Sequence, residues 1–585
     1  MGRNTETSSG VTRRAVLRGL AAPALVPTMI NTLSARDSTV PTGAPAVDRD
    51  RVTRAVTTSG PVRGYVSGSI HTFKGIPYGR PPTGALRFKA SLPPEPWREV
   101  RDATRFGPAA PQMPLPSRMT LERARIDGPF AAVSPTIFIS PMAPDQSEGC
   151  LVLNVWTPGV NDGGKRAVLF RIHGGGFIAQ SAAEPWYDGT NIARRGDIVV
   201  VSPNHRLNAL GYLYLGEAMG GEYAAGNPGM MDLVLALKWV RDNIAGFGGD
   251  PDKVTICGES GGGAKVSTLL AMPAATGLFK HAIIESGPNH GISREQASDY
   301  ARRFLSNAGV TRGDTAKLQA LPVEALFDAQ IATGGGVEAV GPCIEGVTLP
   351  RGTADALAAG MSSDVPFIIG STRDEGRTMH AANLALISRM DEATLSAGIR
   401  KVFGSHADGL IQAYKRSWPE ASPGELFILI EAASAMRRDS WQLAEARLGS
   451  GGAPVFMYML EWESGAFNGM LLAGHGLDAP LTMDNYEISG PWTADYPTSR
   501  IVAASMSEAW IAFVKTGNPG AGGRAAWPAY ELQSRETMLF NVESRAVKDP
   551  YGERAIWEGM PRAATLMFPV PGAAEPDVLE KLKGS

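Results

Sequence analysis

The run Val254-Thr255-Ile256-Cys257-Gly258-Glu259-Ser260-Gly261-Gly262-Gly263 begins apolar and β-branched. It ends abruptly in a serine flanked by glycines, and a helical pattern follows. A strand, a sharp turn and a helix around Gly-x-Ser-x-Gly make the context of a nucleophile elbow. On so tight a turn there is no room for a Cβ two residues before or after the serine. The Ser260 hydroxyl then stands out at the carboxyl end of a sheet, and the Gly261 amide faces any oxyanion that develops beside it.

The elbow sits among further strands. Ala167 to Ile172, Asp197 to Ser202, His281 to Glu285, Val365 to Ile369, Val455 to Leu460 and Met538 to Asn541 all read as buried strands. Met231 to Ile244 has helical periodicity, with Leu233, Leu237 and Val240 on one face. Near-continuous apolar strands alternating with helices predict an α/β fold built on a mostly parallel sheet with helices on both faces. The pattern runs almost to the end without a linker, which predicts one large domain over residues 52–585. Pro114 to Ser147, Ser293 to Ala359 and Ala381 to Arg447 read as insertions. Such excursions on the carboxyl side of a sheet commonly cover a substrate site.

Composition excludes several classes. The 585 residues carry a net charge of -2 without a strongly basic run in the body of the chain, so a nucleic-acid partner is not expected. Three cysteines, Cys150, Cys257 and Cys343, are too few for a disulfide scaffold, and none has metal-ligand spacing. Cys257 reads as a small buried core residue. At the amino terminus, Arg13 and Arg14 precede a weakly apolar stretch from Gly19 to Ala35. Residues 1–35 read as a twin-arginine export signal, with cleavage after Ala35 and a flexible linker over 36–51. Pro23 and Pro27 interrupt the apolar run, so a stable membrane span is not expected. No feature speaks to oligomeric state.

His173-Gly174-Gly175-Gly176-Phe177 follows the strand that ends at Ile172. A tetrahedral oxyanion needs fixed donors, and consecutive glycines let backbone N–H groups approach it closely. Gly175, Gly176 and Gly261 are the expected oxyanion-hole donors. After an elbow the chain order is serine, acid, histidine. Among the eight histidines, His71, His173 and His205 precede Ser260, and His281 and His290 precede any plausible acid loop. Of the remaining His380, His406 and His475, the first reads as part of a helix and the second as part of a helical insertion. His475 lies in the glycine-rich loop Ala473-Gly474-His475-Gly476 and is the expected base. The acid belongs on the loop Ser371-Thr372-Arg373-Asp374-Glu375-Gly376, where spacing alone allows Asp374 or Glu375.

With these residues in place the chain resembles the type B carboxylesterases, the cholinesterase-like branch of the α/β-hydrolases, and especially the bacterial para-nitrobenzyl esterases. The resemblance extends from about Val52 to Pro528. It includes Phe73 to Tyr78, Glu148 to Pro158, His173 to Phe177, Asn204 to Leu207, Asn227 to Pro251, Gly258 to Gly262, Asp374-Glu375-Gly376 and His475 to Asp478. It implies that the acid is Glu375. It also implies that Arg206 and Asp232 are fold-supporting ions, that Trp97 is structural, and that Trp239 and Trp510 are core. Glu259 is expected to act on the field near His475 without being catalytic. Two departures stand out. Gly261 replaces the family's alanine, which predicts a looser local backbone. Ala110 stands where many secreted members have a cysteine, so the disulfide to the position of Cys150 is absent.

The expected activity is hydrolysis of small to medium alkyl or aryl carboxylic esters through an acyl-enzyme, with no metal or organic cofactor. The same triad would serve a carbamate or amide hydrolase or a transacylase. A non-catalytic binding protein on this fold is the remote alternative. The leader predicts a periplasmic or secreted enzyme, with a small-molecule ester as its partner.

Overall fold

A computed structural model describes residues 51–112, 145–224, 226–288, 291–334, 340–489, 492–493, 497–522, 526–563, 565 and 567–573. The expected export signal, the linker to residue 50, His290 and most of the Pro114 to Ser147 insertion lie outside the described residues.

The described strands are β1 (Val52–Thr57), β2 (Gly60–Ser67), β3 (Ile70–Pro77), β4 (Arg101–Asp102), β5 (Val152–Thr157), β6 (Arg166–Ile172), β7 (Val199–Pro203), β8 (Gly249–Glu259), β9 (His281–Glu285), β10 (Ile292–Ser293), β11 (Cys343–Ile344), β12 (Phe367–Thr372), β13 (Val455–Leu460), β14 (Glu536–Phe540) and β15 (Arg545–Lys548). Thirteen of them form one sheet in the order β1-β2-β3-β5-β7-β6-β8-β9-β12-β13-β14-β15, with β4 beside β2. From β7 to β14 every pairing is parallel. The two flanks are antiparallel: β1-β2-β3-β5-β7 on one side and β14-β15 on the other. The parallel heart is the expected one.

The parallel strands are apolar because both faces are covered. In β6, Val168, Phe170 and Ile172 point into one core with Leu233 and Leu237 of the helix Pro228–Asn243. Leu169 points into the other, with Ile283, Ile368 and Trp510 of the helix Pro497–Thr516. Successive side chains of a strand take opposite faces, so one apolar run feeds two cores. Trp239 is buried as expected, and the Trp97 indole donates to the Pro61 carbonyl (2.9 Å). Arg206 and Asp232 form a buried ion pair (2.6 Å).

Chain order and spatial order part company at β6. The chain leaves it for β7 on one side and then crosses to β8 on the other. Loops leaving adjacent strands in opposite directions open a crevice at the carboxyl ends, which is where open α/β sheets bind ligands. The Gly174 to Gly176 loop follows β6 and Ser260 follows β8, with Ile172 and Gly258 paired across the two strands. The two later insertions are helical as expected. The second, Ala381 to Arg447, carries a π-turn at Ala433–Arg437 between the helices Pro423–Ala432 and Arg438–Gly449.

Candidate active site

Ser260 adopts φ 56°, ψ −124° between β8 and the helix Gly261–Leu269. A non-glycine residue in that region is strained and must be held there by its surroundings. Its amide donates to the Glu285 carbonyl of β9 (2.8 Å). The neighbouring glycines leave no alternative. A Cβ on Gly258 would overlap the Gly262 carbonyl, and one on Gly262 would overlap the Ile172 carbonyl. The elbow is therefore a local consequence of sequence, locked by the adjoining strands.

Three loops converge on this serine. The Ser260 hydroxyl lies 2.8 Å from Nε2 of His475. Nδ1 of the same ring bonds an oxygen of Glu375. The other Glu375 oxygen accepts from the Ser286 hydroxyl (2.6 Å) and the Thr372 amide (2.8 Å). Because the carboxylate faces Nδ1, the network assigns the proton to Nδ1 and leaves Nε2 free to accept. Glu375 follows β12 and His475 follows β13, so the register of neighbouring strands sets the contact.

Spacing left Asp374 and Glu375 open, and the structure separates them. Asp374 points away from the imidazole. Its carboxylate accepts from the Ala473 amide (3.2 Å) and pairs with Arg373 (2.7 Å), and its own amide donates to the Ala473 carbonyl (2.9 Å). It ties the acid loop to the histidine loop two residues before His475.

Among the described residues, several of the other histidines have contacts of their own. His380 bonds Glu431 (2.7 Å), His173 stacks on His205 (4.6 Å between ring centres), and His281 faces Thr255 (3.2 Å).

The electrostatics of the site come from burial against a ring of carboxylates. Burial opposes a charge on His475, but Glu375 and then Glu259 outweigh it and hold the imidazole up at about 9. An oxygen of Glu259 lies 3.4 Å from Nε2. Burial pushes Glu259 and Asp478 upward, His475 opposing it in both. Asp478 accepts from the Tyr458 hydroxyl (2.7 Å) and faces Ser286 (3.4 Å). Glu375 is held below the usual carboxylate range: burial raises it, and the His475 charge with the His475, Ser286 and Thr372 hydrogen bonds more than reverses that.

The glycine loop packs against Gly261, and Gly176, Ser260 and Gly261 line one cavity. Gly175 and Gly176 have φ of 74° and 60°, open to glycine and costly for other residues. The Gly175 carbonyl accepts from the amides of Ile178 (3.2 Å) and Ala179 (3.0 Å). The Gly174 amide is taken by the Tyr187 hydroxyl (2.9 Å). Among the described residues, the N–H groups of Gly175, Gly176 and Gly261 have no protein acceptor. Three unpaired donors beside a serine are what a developing oxyanion requires. A cavity of about 330 Å³ opens over Ser260, lined by Phe177, Ile292, Val340, Met379, Met436 and others.

One expectation needs correction. Gly261 is not loosely held: a Cβ there would overlap the Gly176 backbone, so the two segments are in close contact. Cys257 is a buried core residue as expected, and Arg171 reaches its sulfur (2.8 Å) while pairing with Glu285 (2.6 Å). Sequence reasoning also missed Ser286, Asp478 and Lys265. Ser286 leaves a faint signal as a serine just past a strand, before a glycine. Lys265 has none, since a lysine on a helix ordinarily reads as a solvated residue.

A sequence model of the Carboxylesterase family matches residues 51–556. The chain is 36% identical over 510 residues to the para-nitrobenzyl esterase of Bacillus subtilis (strain 168), covering 85% of this chain and 96% of that protein. It is 32% identical over 513 residues to the phenmedipham hydrolase of Pseudarthrobacter oxydans, covering 85% and 97%. A solved carboxylesterase of Geobacillus stearothermophilus superposes with a TM-score of 0.73 at 36% identity, covering 86% of this chain and all of that one. With the parallel sheet, the elbow at Ser260 and relatives of nearly equal length agreeing, the chain belongs to the carboxylesterase family of α/β-hydrolases and is a serine hydrolase of carboxylic esters.

Proposed function

We propose that Ser260, His475 and Glu375 form the catalytic triad and that the N–H groups of Gly175, Gly176 and Gly261 form the oxyanion hole. The hydrogen-bonded chain from Ser260 Oγ through the imidazole to Glu375 carries the reading. Ser260 Oγ attacks the ester carbonyl carbon while Nε2 of His475 takes the hydroxyl proton. The carbonyl oxygen becomes an oxyanion held by the three amides. Collapse expels the alcohol, which receives the proton from His475, and leaves an acyl-enzyme. Water, deprotonated by His475, then attacks the acyl carbon and frees the acid. Glu375 orients the ring and stabilises its charged form.

The apolar lining of the cavity favours small to medium alkyl or aryl acyl groups. Turnover of a para-nitrophenyl ester panel, from acetate to palmitate plus benzoate, tests this. The expected result is preference for the shorter and aryl esters, with turnover lost in Ser260→Ala. Such nucleophile removal costs roughly 10⁶ in kcat elsewhere. Retained turnover in Ser260→Ala would refute the triad assignment.

We further propose export by the twin-arginine route, supported by Arg13-Arg14 and the apolar stretch after them. Replacing both arginines with lysine and fractionating cells tests it. The expected result is loss of the exported activity, and unchanged export would refute it.

A further inference from the structure

Lys265 is fully buried. Among the described residues it makes no ion pair. Its Nζ instead donates to the carbonyls of Gly176 (2.7 Å) and His173 (3.3 Å), and lies 5.2 Å from the Phe177 ring centre. An unpaired lysine is among the costliest groups to bury, so its retention beside the elbow calls for a reason.

The geometry supplies one. Lys265 sits four residues after Gly261 on the helix Gly261–Leu269. Residues i and i+4 share a helix face, and side chains there lean back toward the amino end. Lys265 is thus aimed at the loop above the elbow. The two carbonyls it holds bracket the glycine run, one at each end. Within the run, the Gly174 carbonyl faces Nδ1 of His173 (3.1 Å) and the Gly175 carbonyl is taken by Ile178 and Ala179. In a trans peptide the N–H points opposite to the C=O. The Gly174 and Gly175 carbonyls, held by His173, Ile178 and Ala179, set the opposite direction of the Gly175 and Gly176 N–H groups, and Lys265 anchors the two flanking peptides, whose N–H groups belong to Gly174 and Phe177. The loop can settle this low only because Gly261 has no Cβ, which would strike Gly176.

We propose that Lys265 is a positioning residue for ester hydrolysis, a clamp that pulls the glycine loop down onto Gly261 and sets the oxyanion donors. The proposal rests on the oxyanion-hole reading above. Burial draws Lys265 down to about 7, with Glu259 opposing. A neutral amine still has two N–H groups, one for each carbonyl, so the clamp holds on either side of that value.

The test uses Lys265→Met, Lys265→Gln and Gly261→Ala, assayed with para-nitrophenyl acetate and with an alkyl trifluoromethyl ketone. Ser260 Oγ adds to the ketone carbonyl carbon, the hydroxyl proton passes from Ser260 to His475, and the carbonyl π pair moves to oxygen to give a tetrahedral oxyanion. For Lys265→Met the expected result is a fall of about 10²–10³ in kcat with KM within about threefold, the scale of one lost oxyanion donor. Ketone affinity should fall by the same factor as kcat/KM. Lys265→Gln keeps N–H donors and should retain more activity than the methionine variant. Gly261→Ala keeps the amide but displaces Gly176, and should show the same pattern in kcat and ketone affinity. A Lys265→Met enzyme within about threefold of wild type in kcat overturns the proposal, as does a lower kcat with unchanged ketone affinity. If Lys265→Met fails to fold, the donor-free variants Lys265→Leu and Lys265→Ala decide by the same criteria. An active Ser260→Ala would instead mark failure of the triad reading, so the two failures are distinguishable.

Discussion

A Glu259 carboxylate oxygen lies 3.4 Å from Nε2 of His475, the same nitrogen that faces the Ser260 hydroxyl at 2.8 Å. The imidazole proposed as general base therefore lies beside two carboxylates, Glu375 on Nδ1 and Glu259 on Nε2. Only the first is oriented to hold the ring. The second raises the cost of removing the proton from the imidazolium.

Glu259→Gln removes a negative charge that favours protonated His475. The imidazole pKa should fall, and the acid limb of kcat/KM should move to lower pH by roughly one unit, as for a charge within 4–6 Å. A pH profile of para-nitrophenyl acetate hydrolysis checks this. A limb that stays in place or moves upward refutes it.

Glu375 and Asp374 are adjacent but do different work. Glu375→Gln leaves the ring without its carboxylate, and kcat should fall by about 10⁴, the scale seen when a triad acid becomes an amide. Asp374→Asn loosens the tie to Ala473 and should cost about tenfold, well short of that. Steady-state kinetics of both variants separate the roles.

Lys265→Met should trade activity for stability. The folded lysine sits at about 7 against an ordinary 10.5. Its pKa is depressed, so the burial cost is full below 7 and fades as pH rises toward 10.5. The negative charge of Glu259 eases the cost from a distance, while burial keeps His173 and His205 neutral. After the lost hydrogen bonds are counted, the methionine variant should gain on the order of 2 kcal/mol at pH 6 and little at pH 10. Urea midpoints at the two pH values test the difference.

Breaking the Arg206 to Asp232 pair should cost far more than breaking a surface pair. Asp232→Asn strands a buried guanidinium and should destabilise by about 3–5 kcal/mol. Asp197→Asn, opposite Arg166 with its side chain 67% exposed, should cost under about 1 kcal/mol. Urea unfolding of the two variants compares them.

The legible parts of the fold were those whose causes are continuous in sequence. β6, β9, β13 and the second half of β8 from Val254 are buried on both faces, so they read as continuous apolar strands. β1 was not read as a separate strand, because its apolar pattern is inverted. Val52 and Val56 face solvent while Thr53, Ala55 and Thr57 point inward. Alternation on an antiparallel edge carries less signal than a continuous apolar run.

The sequence by itself determined the elbow and the glycine loop, because their geometry is enforced within a few residues by glycines that admit no Cβ. Chain order and elimination also brought the base down to His475. Spacing left Asp374 and Glu375 open and the family resemblance favoured Glu375; only the tertiary structure decided that Ser286 and Asp478 back it and that Lys265 turns inward to hold the loop. Ser260 and His475 are 215 positions apart, and His475 and Glu375 are 100 apart. Contacts at such separations depend on strand register and on which face each loop leaves the sheet, and neither is written in local periodicity.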